Sequence, residues 1–415
     1  MKVCWPRVDL DSLTVKDRSI TYGVVKPGEE VEGGVAFVRG GDIFQGRIAL
    51  GTLRTIAPQL SQIYKRTILR GGELLISLVG NPGEVAIAPQ SLEGANIARQ
   101  VGLIALRPEL DSRFVMYFLQ SPLGRAEIFS RTGGAVQQVI NLADLKTLRV
   151  PVPSTKEQRQ IADVLAAYDD LIENNRRRMA LLEESARLLY REWFVRLRFP
   201  GHEHTRITDG VPTGWQTTDL SAVCMPKIGI QTGPFGSQLH QSDYAEEGFP
   251  VVMPKDIIGS TISTESIARV PEAICNRLPR HILQEGDIVL ARRGDIGRKS
   301  LVTPREVGWM CGTGCMRLRP NPEVVDPRFF FTTIGREDVM GVIAGRAQGA
   351  IMPNLNLGIL ADIALVLPPK SLQQQFLDYG APVHRQIEIL QNQNEKLRTA
   401  RDILLPRLMS GEIAV

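Results

Sequence analysis

The chain has 415 residues, 43% of them hydrophobic and 23% charged, with 49 Lys+Arg against 45 Asp+Glu. That length predicts two to four domains, and the composition is that of an ordinary globular protein. The net charge of +4 permits nucleic-acid binding without requiring it, and excludes both a histone-like tail and an acidic disordered chain.

No apolar run is long enough to span a membrane, and charge in place of an apolar core after Met1 argues against a secretory signal. The five cysteines are Cys4, Cys224, Cys275, Cys311 and Cys315. They are odd in number and scattered, which fits free thiols and a cytoplasmic protein.

The chain reads as one unit written twice. Residues 66–83 align with 280–297 at a shift of 214, matching Arg66 with Arg280, Gly72 with Gly286, Gly80 with Gly294 and Gly83 with Gly297. Leu106-Arg107-Pro108 recurs as Leu318-Arg319-Pro320, and Asn141-Leu142 as Asn356-Leu357. The expected fold class is α+β: two globular α/β domains alternating with two long helices. The expected boundaries are 1–154 for the first domain, 155–209 for the first helix and linker, 210–370 for the second domain and 371–415 for the second helix.

In chain order, the first domain carries a buried strand at Glu73–Ser77, a helical stretch at Arg113–Ile128 and a closing strand at Leu148–Pro153. The first long helix opens near Thr155-Lys156-Glu157 and is free of Gly and Pro to Arg198. Its heptad seam runs through Ile161, Leu165, Tyr168, Ile172, Asn175, Met179, Leu182, Ala186, Leu189 and Trp193. The second domain repeats the pattern with Asp287–Ala291, Pro327–Ile343 and Ile363–Pro368. The second seam is Phe376, Gly380, Val383, Ile387, Leu390, Asn394, Leu397, Arg401 and Leu404, weaker at Gly380 and Arg401. Such stripes need a partner, and two equivalent helices in one chain predict an antiparallel intramolecular coiled coil about a pseudo-two-fold axis. The alternatives are packing of each helix on its own domain, or an intermolecular coil. Asn175 and Asn394 at seam positions would fix register at a cost in stability.

This order of parts resembles the DNA-specificity subunit of type I restriction–modification systems. The resemblance extends to Ile228-Gly-Ile-Gln-Thr-Gly-Pro-Phe-Gly-Ser-Gln-Leu239, Trp193-Phe194, Phe199-Pro200-Gly201-His202-Glu203 and the closing Leu405-Pro-Arg-Leu-Met-Ser-Gly-Glu-Ile413. It implies that each globular domain reads one half of a split, asymmetric site in double-stranded DNA. The helices would set the spacing and dock two modification subunits, and restriction subunits would join them. S-adenosylmethionine would belong to the modification subunit and ATP with Mg²⁺ to the restriction subunit, leaving this chain without a cofactor and non-catalytic.

Base reading needs paired donors and acceptors, and phosphate binding needs cations or backbone N–H groups. The loop 291–299 carries Arg292, Arg293, Arg298 and Lys299 around two glycines, whereas its counterpart at 78–85 has Asn81 and no cation. Either could be a plain solvated turn. Gln231, Ser237 and Gln238 flank the Gly-rich turn of the second domain. Arg39 and Lys255 precede the paired Asp42 and Asp256, which are expected to cap turns. Arg131, Gln137 and Gln138 correspond to Arg346, Gln348 and Asn354, and amides can pair bidentately with adenine. Asn141 and Asn356 are open to a capping role.

Other motifs point away from chemistry in this chain. There is no Gly-x-x-x-x-Gly-Lys-Ser/Thr loop, and Asn81-Pro82-Gly83, Asn321-Pro322-Glu323 and Asp326-Pro327-Arg328 do not match the Asn/Asp-Pro-Pro-aromatic motif of adenine methyltransferases. Cys311-Gly-Thr-Gly-Cys315 and His202-Glu-His204 lack the further ligands a metal needs, so no metal site is expected. Arg176-Arg177-Arg178 is expected to be a solvated face or a surface for an acidic partner. The rival readings are a self-sufficient nuclease with duplicated DNA-binding domains, and a coiled-coil adaptor that binds protein only.

Overall fold

A computed structural model describes residues 5–133, 138–346 and 354–415. The chain divides into two units, residues 1–178 with 389–415, and residues 179–388. Each contains one globular domain and a stretch of both long helices.

In the first unit a four-stranded antiparallel sheet runs in the order Thr21–Tyr22, Val101–Ile104, Leu74–Ser77, Val85–Ile87. Beside it lies a three-stranded sheet, Arg54–Ile56, Val35–Val38 and Asn96–Ile97, whose last pairing is parallel. A hairpin, Ile43–Phe44 with Arg47–Ile48, completes the strands between them. Strand Arg7–Asp9 closes the domain by pairing antiparallel with Arg149–Pro151. The second unit repeats this topology. Its four-stranded sheet is Ile230–Thr232, Cys315–Leu318, Ile288–Ala291, Lys299–Leu301, its smaller sheet is Ala268–Val270, Phe249–Val252, Met310–Cys311, and the hairpin is Ile257–Ile258 with Thr261–Ile262. The uninterrupted apolar runs at 74–76 and 288–291 are buried on both faces, as their lack of alternation predicts.

Two expected helices are each broken in two. Arg113–Ile128 is Ser112–Gln120 followed by Pro122–Phe129, because Ser121 caps the second helix by accepting from the Gly124 amide and Pro122 opens it. Pro327–Ile343 is likewise Pro327–Ile334 and Glu337–Arg346, parted at Gly335 and Arg336.

The first long helix spans Thr155–Tyr190. Ser154 and Glu157 form a reciprocal capping box: the Glu157 amide donates to Ser154 Oγ at 3.3 Å and the Ser154 amide to Glu157 Oε2 at 3.0 Å. The expected uninterrupted run to Arg198 ends earlier, in a π-turn at Arg191–Val195 that buries Trp193 and Phe194. The second long helix is Lys370–Met409.

Within each unit the two helices pair antiparallel. In the first, Asp169 meets Arg401 and Asn175 meets Asn394, so one helix rises as the other descends. In the second, Tyr190 and Trp193 pack on Phe376 with ring centroids 5.6 and 5.9 Å apart. The seam is buried at Ile161, Leu165, Ile172, Phe376, Ile387 and Leu390, and half-buried at Met179, Leu182, Leu189, Val383, Leu397 and Leu404. The weak point at Arg401 is accommodated by its ion pair with Asp169 at 2.6 Å. The buried seam side chains are used in packing, and the half-buried ones keep part of their surface open. Helix residues join the domain cores directly: Ile161, Leu165, Leu408 and Met409 in the first unit, and Tyr190, Phe194, Leu372 and Phe376 in the second. No helix among the described residues is long and apolar enough to cross a membrane.

Candidate nucleic-acid interface

In the second unit, four sequence-distant segments meet around one short turn, residues 311–315. Gly312 donates its amide to the Val252 carbonyl at 2.9 Å, next to the turn that holds Lys255. The Gly314 carbonyl accepts from the Arg292 amide at 2.8 Å. Cys315 accepts from the Gly233 amide, and the Thr313 hydroxyl donates to the Pro234 carbonyl at 2.7 Å. Arg292 in turn accepts from the Leu355 amide and pairs its Nε with Asn354 Oδ1 at 3.2 Å. The Gly-rich turn, the cationic loop, the Lys255 turn and the Asn354 segment therefore form one surface. Gly233 packs so closely on Gly312 that a Cβ would lie 1.9 Å from its carbonyl oxygen.

The first unit has the same hub at 97–101. Ala98 donates to the Val38 carbonyl, Leu78 donates to the Gln100 carbonyl, Gly23 donates to Ala98, and Ile140 donates to Leu78. A Cβ on Gly23 would lie 1.8 Å from the Ile97 carbonyl oxygen. Gly80 and Gly294 both hold left-handed backbone, at φ 86° and 73°. The backbone scaffold is thus held in common while the side chains on it differ.

Those side chains fall into three groups. Arg293 and Asn81 are exposed on the loops, Ser237 is exposed on the Gly-rich turn, and the exposed Gln138 accepts from the Gly80 amide through its carbonyl. Lys255 is also exposed, with one long contact of 3.5 Å from Nζ to the Ser266 carbonyl. Arg292 is half-buried, and burial together with the Arg293 charge pulls its guanidinium below the ordinary range. That is a cation short of compensating negative charge. Gln231 and Gln238 are engaged locally, with Gln231 Nε2 on the Thr232 carbonyl and Gln238 Oε1 accepting from the Phe235 amide.

The third group serves the fold. Arg39 donates to both carboxylate oxygens of Asp42 and to the Thr52 carbonyl, and the Asp42 hydrogen bond holds its guanidinium above the ordinary range. Asp42 and Asp256 are buried turn caps that accept from the Arg39 and Met253 amides. Arg131 pairs with Glu127 at 2.6 Å and donates to the Thr147 carbonyl, while Arg346 donates to the Asp362 carbonyl at 3.2 Å. Thr147 and Asp362 are the C-caps of equivalent short helices, Leu142–Lys146 and Leu357–Ala361. Each arginine thus binds the C-cap carbonyl of the short helix that follows it, Arg131 half-buried and Arg346 exposed. Arg298 is held by Asp295 at 3.0 Å and by the Pro254 and Ile257 carbonyls. Lys299 leaves the loop altogether: its ammonium lies 3.4 Å from the centroid of Phe331, and burial lowers its pKa to about 7. Gln137 and Gln348 lie outside the described residues. Asn141 and Asn356 cap those short helices by accepting from the Asp144 and Ile359 amides.

Reading the sequence alone missed Arg99 and Gln100, both exposed at the first hub; Arg99 makes no ion pair or side-chain hydrogen bond among the described residues. The available signal was the shift of 214 itself, which carries Cys311–Cys315 onto Ile97–Val101. Among the described residues no three His, Cys, Asp or Glu side chains converge as metal ligands.

Two unlike polar faces on one duplicated backbone define a duplicated recognition scaffold. The profile of the Type I restriction modification DNA specificity domain matches residues 25–184 and again 238–399, so the chain belongs to that family as a DNA-specificity subunit with two recognition domains. It is 33% identical over 175 residues to the type I restriction enzyme EcoBI specificity subunit of Escherichia coli, covering 41% of this chain and 36% of that one. It is 23% identical over 352 residues to the MjaIX specificity subunit of Methanocaldococcus jannaschii, covering 83% and 78%. The crystal structure of a type I restriction–modification S subunit from M. genitalium aligns over 98% of this chain and 96% of that one, at 19% identity and a TM-score of 0.49.

Proposed function

We propose that each recognition domain reads its half of a bipartite, asymmetric DNA site with the surface around its hub, residues 97–101 in one and 311–315 in the other. One observation carries this: three backbone hydrogen bonds recur at equivalent positions in both units (Ala98 and Gly312 to Val38 and Val252, Leu78 and Arg292 to Gln100 and Gly314, Ile140 and Leu355 to Leu78 and Arg292), yet Arg99, Gln100 and Asn81 stand where the other unit has Thr313, Gly314 and Asp295. A common scaffold with different side chains suits two unlike half-sites, since backbone positioning is shared and base readout is not. The chain itself is non-catalytic. The paired helices set the spacing and dock two modification subunits, which bring S-adenosylmethionine, and restriction subunits bring ATP and Mg²⁺. Two matches to the specificity-domain family and relatives named as specificity subunits favour this over the self-sufficient nuclease.

The test is co-expression with the modification subunit of the same operon, followed by single-molecule mapping of adenine methylation. A split, asymmetric motif is expected, and exchanging residues 210–370 for those of another specificity subunit should change one half only. If the lone chain with Mg²⁺ cuts DNA, the scaffold reading fails.

A further inference from the structure

Phe235 is 59% exposed, although it belongs to a turn that is fixed on every side. Gly233 has no room for a Cβ against Gly312, Thr313 holds the Pro234 carbonyl at 2.7 Å, and Arg277 holds the Gln238 carbonyl at 3.2 Å. Gly236 is left-handed at φ 60°, which turns the chain sharply just after Phe235. Its ring makes no ring–ring contact among the described residues. The exposure is therefore imposed by a rigid turn rather than by slack in a loop. The same hub also carries Arg292, whose amide donates to the Gly314 carbonyl at 2.8 Å, and next to it the exposed Arg293.

We propose that Phe235 is a wedge that inserts into a base step of the second half-site and unstacks it, while the neighbouring arginines hold the backbone. Apolar side chains that enter a duplex in this way unstack neighbouring bases, and rigid presentation lowers the entropy cost of doing so. The equivalent residue in the first unit is Val25, 39% exposed and lacking a flat ring, so the distortion should be confined to one half-site. This inference rests on the DNA-reading role proposed above.

The experiment uses the chain assembled with its modification subunit, on duplexes carrying the mapped motif. 2-Aminopurine is placed in turn at each position of both half-sites, apart from the methylated adenines. Wild type should raise fluorescence at one step of the second half-site only. F235A should abolish that rise and weaken motif binding roughly tenfold, F235W should restore both, and V25A should change neither. The melting temperature of F235A should match wild type, since the ring is exposed. Motif binding with no fluorescence rise, or a rise that survives F235A, overturns the wedge and leaves the DNA-reading role intact. So does a loss of modification-subunit assembly by F235A without DNA, which would make the ring a protein contact. Absence of motif-specific binding by wild type overturns the DNA-reading role itself, and the wedge with it.

Discussion

Asn175 and Asn394 meet inside the helix pair of the first unit: Asn175 Nδ2 donates to Asn394 Oδ1 at 3.0 Å, and Asn394 Nδ2 donates to the Ile172 carbonyl at 3.2 Å. Both amides are buried among apolar seam positions. Only one register satisfies both, because sliding either helix would leave a polar group facing hydrocarbon.

Asn175→Leu should therefore destabilise by about 1–3 kcal/mol, because the Asn394 amide oxygen loses its partner in a buried site. The double variant N175L/N394L should recover most of that loss. Chemical denaturation of the four proteins of this double-mutant cycle checks it, and additive losses would mean that the two amides are not coupled.

The second unit holds a buried ion pair in which Arg319 donates to both oxygens of the fully buried Asp287, at 2.7 Å each. Arg319→Met should cost about 3–5 kcal/mol, since it strands a buried carboxylate. The first unit fills the same position with Glu73, paired to Arg18 from the loop before strand Thr21–Tyr22. Arg18→Met should lower the stability of the first unit in the same way. Unfolding followed with a probe in each unit would separate the two effects.

Arg293 and Lys299 sit six residues apart and should behave in opposite ways. Arg293→Ala should weaken motif binding. If Arg293 meets a phosphate, the slope of log K against log salt should fall by about 0.9. If it meets a guanine edge, specificity at one position should relax by about 1–3 kcal/mol. Lys299→Ala should leave DNA affinity unchanged and lower the melting temperature, because its ammonium packs on Phe331. Salt-titrated binding isotherms and thermal melts of both variants decide the matter.

His281 is buried, and its pKa is lowered to about 4, by burial first and by the Arg280 charge second. The unfolded chain, with an ordinary His near 6.5, takes up the proton first as the pH falls. The neutral ring is therefore no liability above about pH 6.5, and stability is lost progressively as the pH drops toward 4. Thr67 occupies the equivalent position in the first unit, where its hydroxyl donates to Asn96 Oδ1 at 2.7 Å. His281→Thr should remove part of the fall in melting temperature between pH 7 and pH 5. An identical pH profile in the variant would assign that fall to other groups.

Periodicity, duplication and turn chemistry were legible before any coordinates. The heptad stripe, the apolar triplets and the shift of 214 come from local pattern, and local pattern sets which residues become helix, strand and seam. The breaks at Ser121 and at Gly335–Arg336 were less legible, because helical stretches continue on both sides of each. What only the tertiary structure decided is which charged and polar groups remain available. Arg39, Arg131, Arg298, Arg346 and Lys299 look like free cations in a string of letters, yet each is engaged by a carboxylate, a helix C-cap, a turn carbonyl or an aromatic ring. Conversely, Arg99 and Phe235 stand exposed where distant segments dock around 97–101 and 311–315, and among the described residues the Arg99 guanidinium has no ion-pair or hydrogen-bond partner. Whether a side chain is engaged depends on groups brought together across the fold, and that proximity is not written in neighbouring letters.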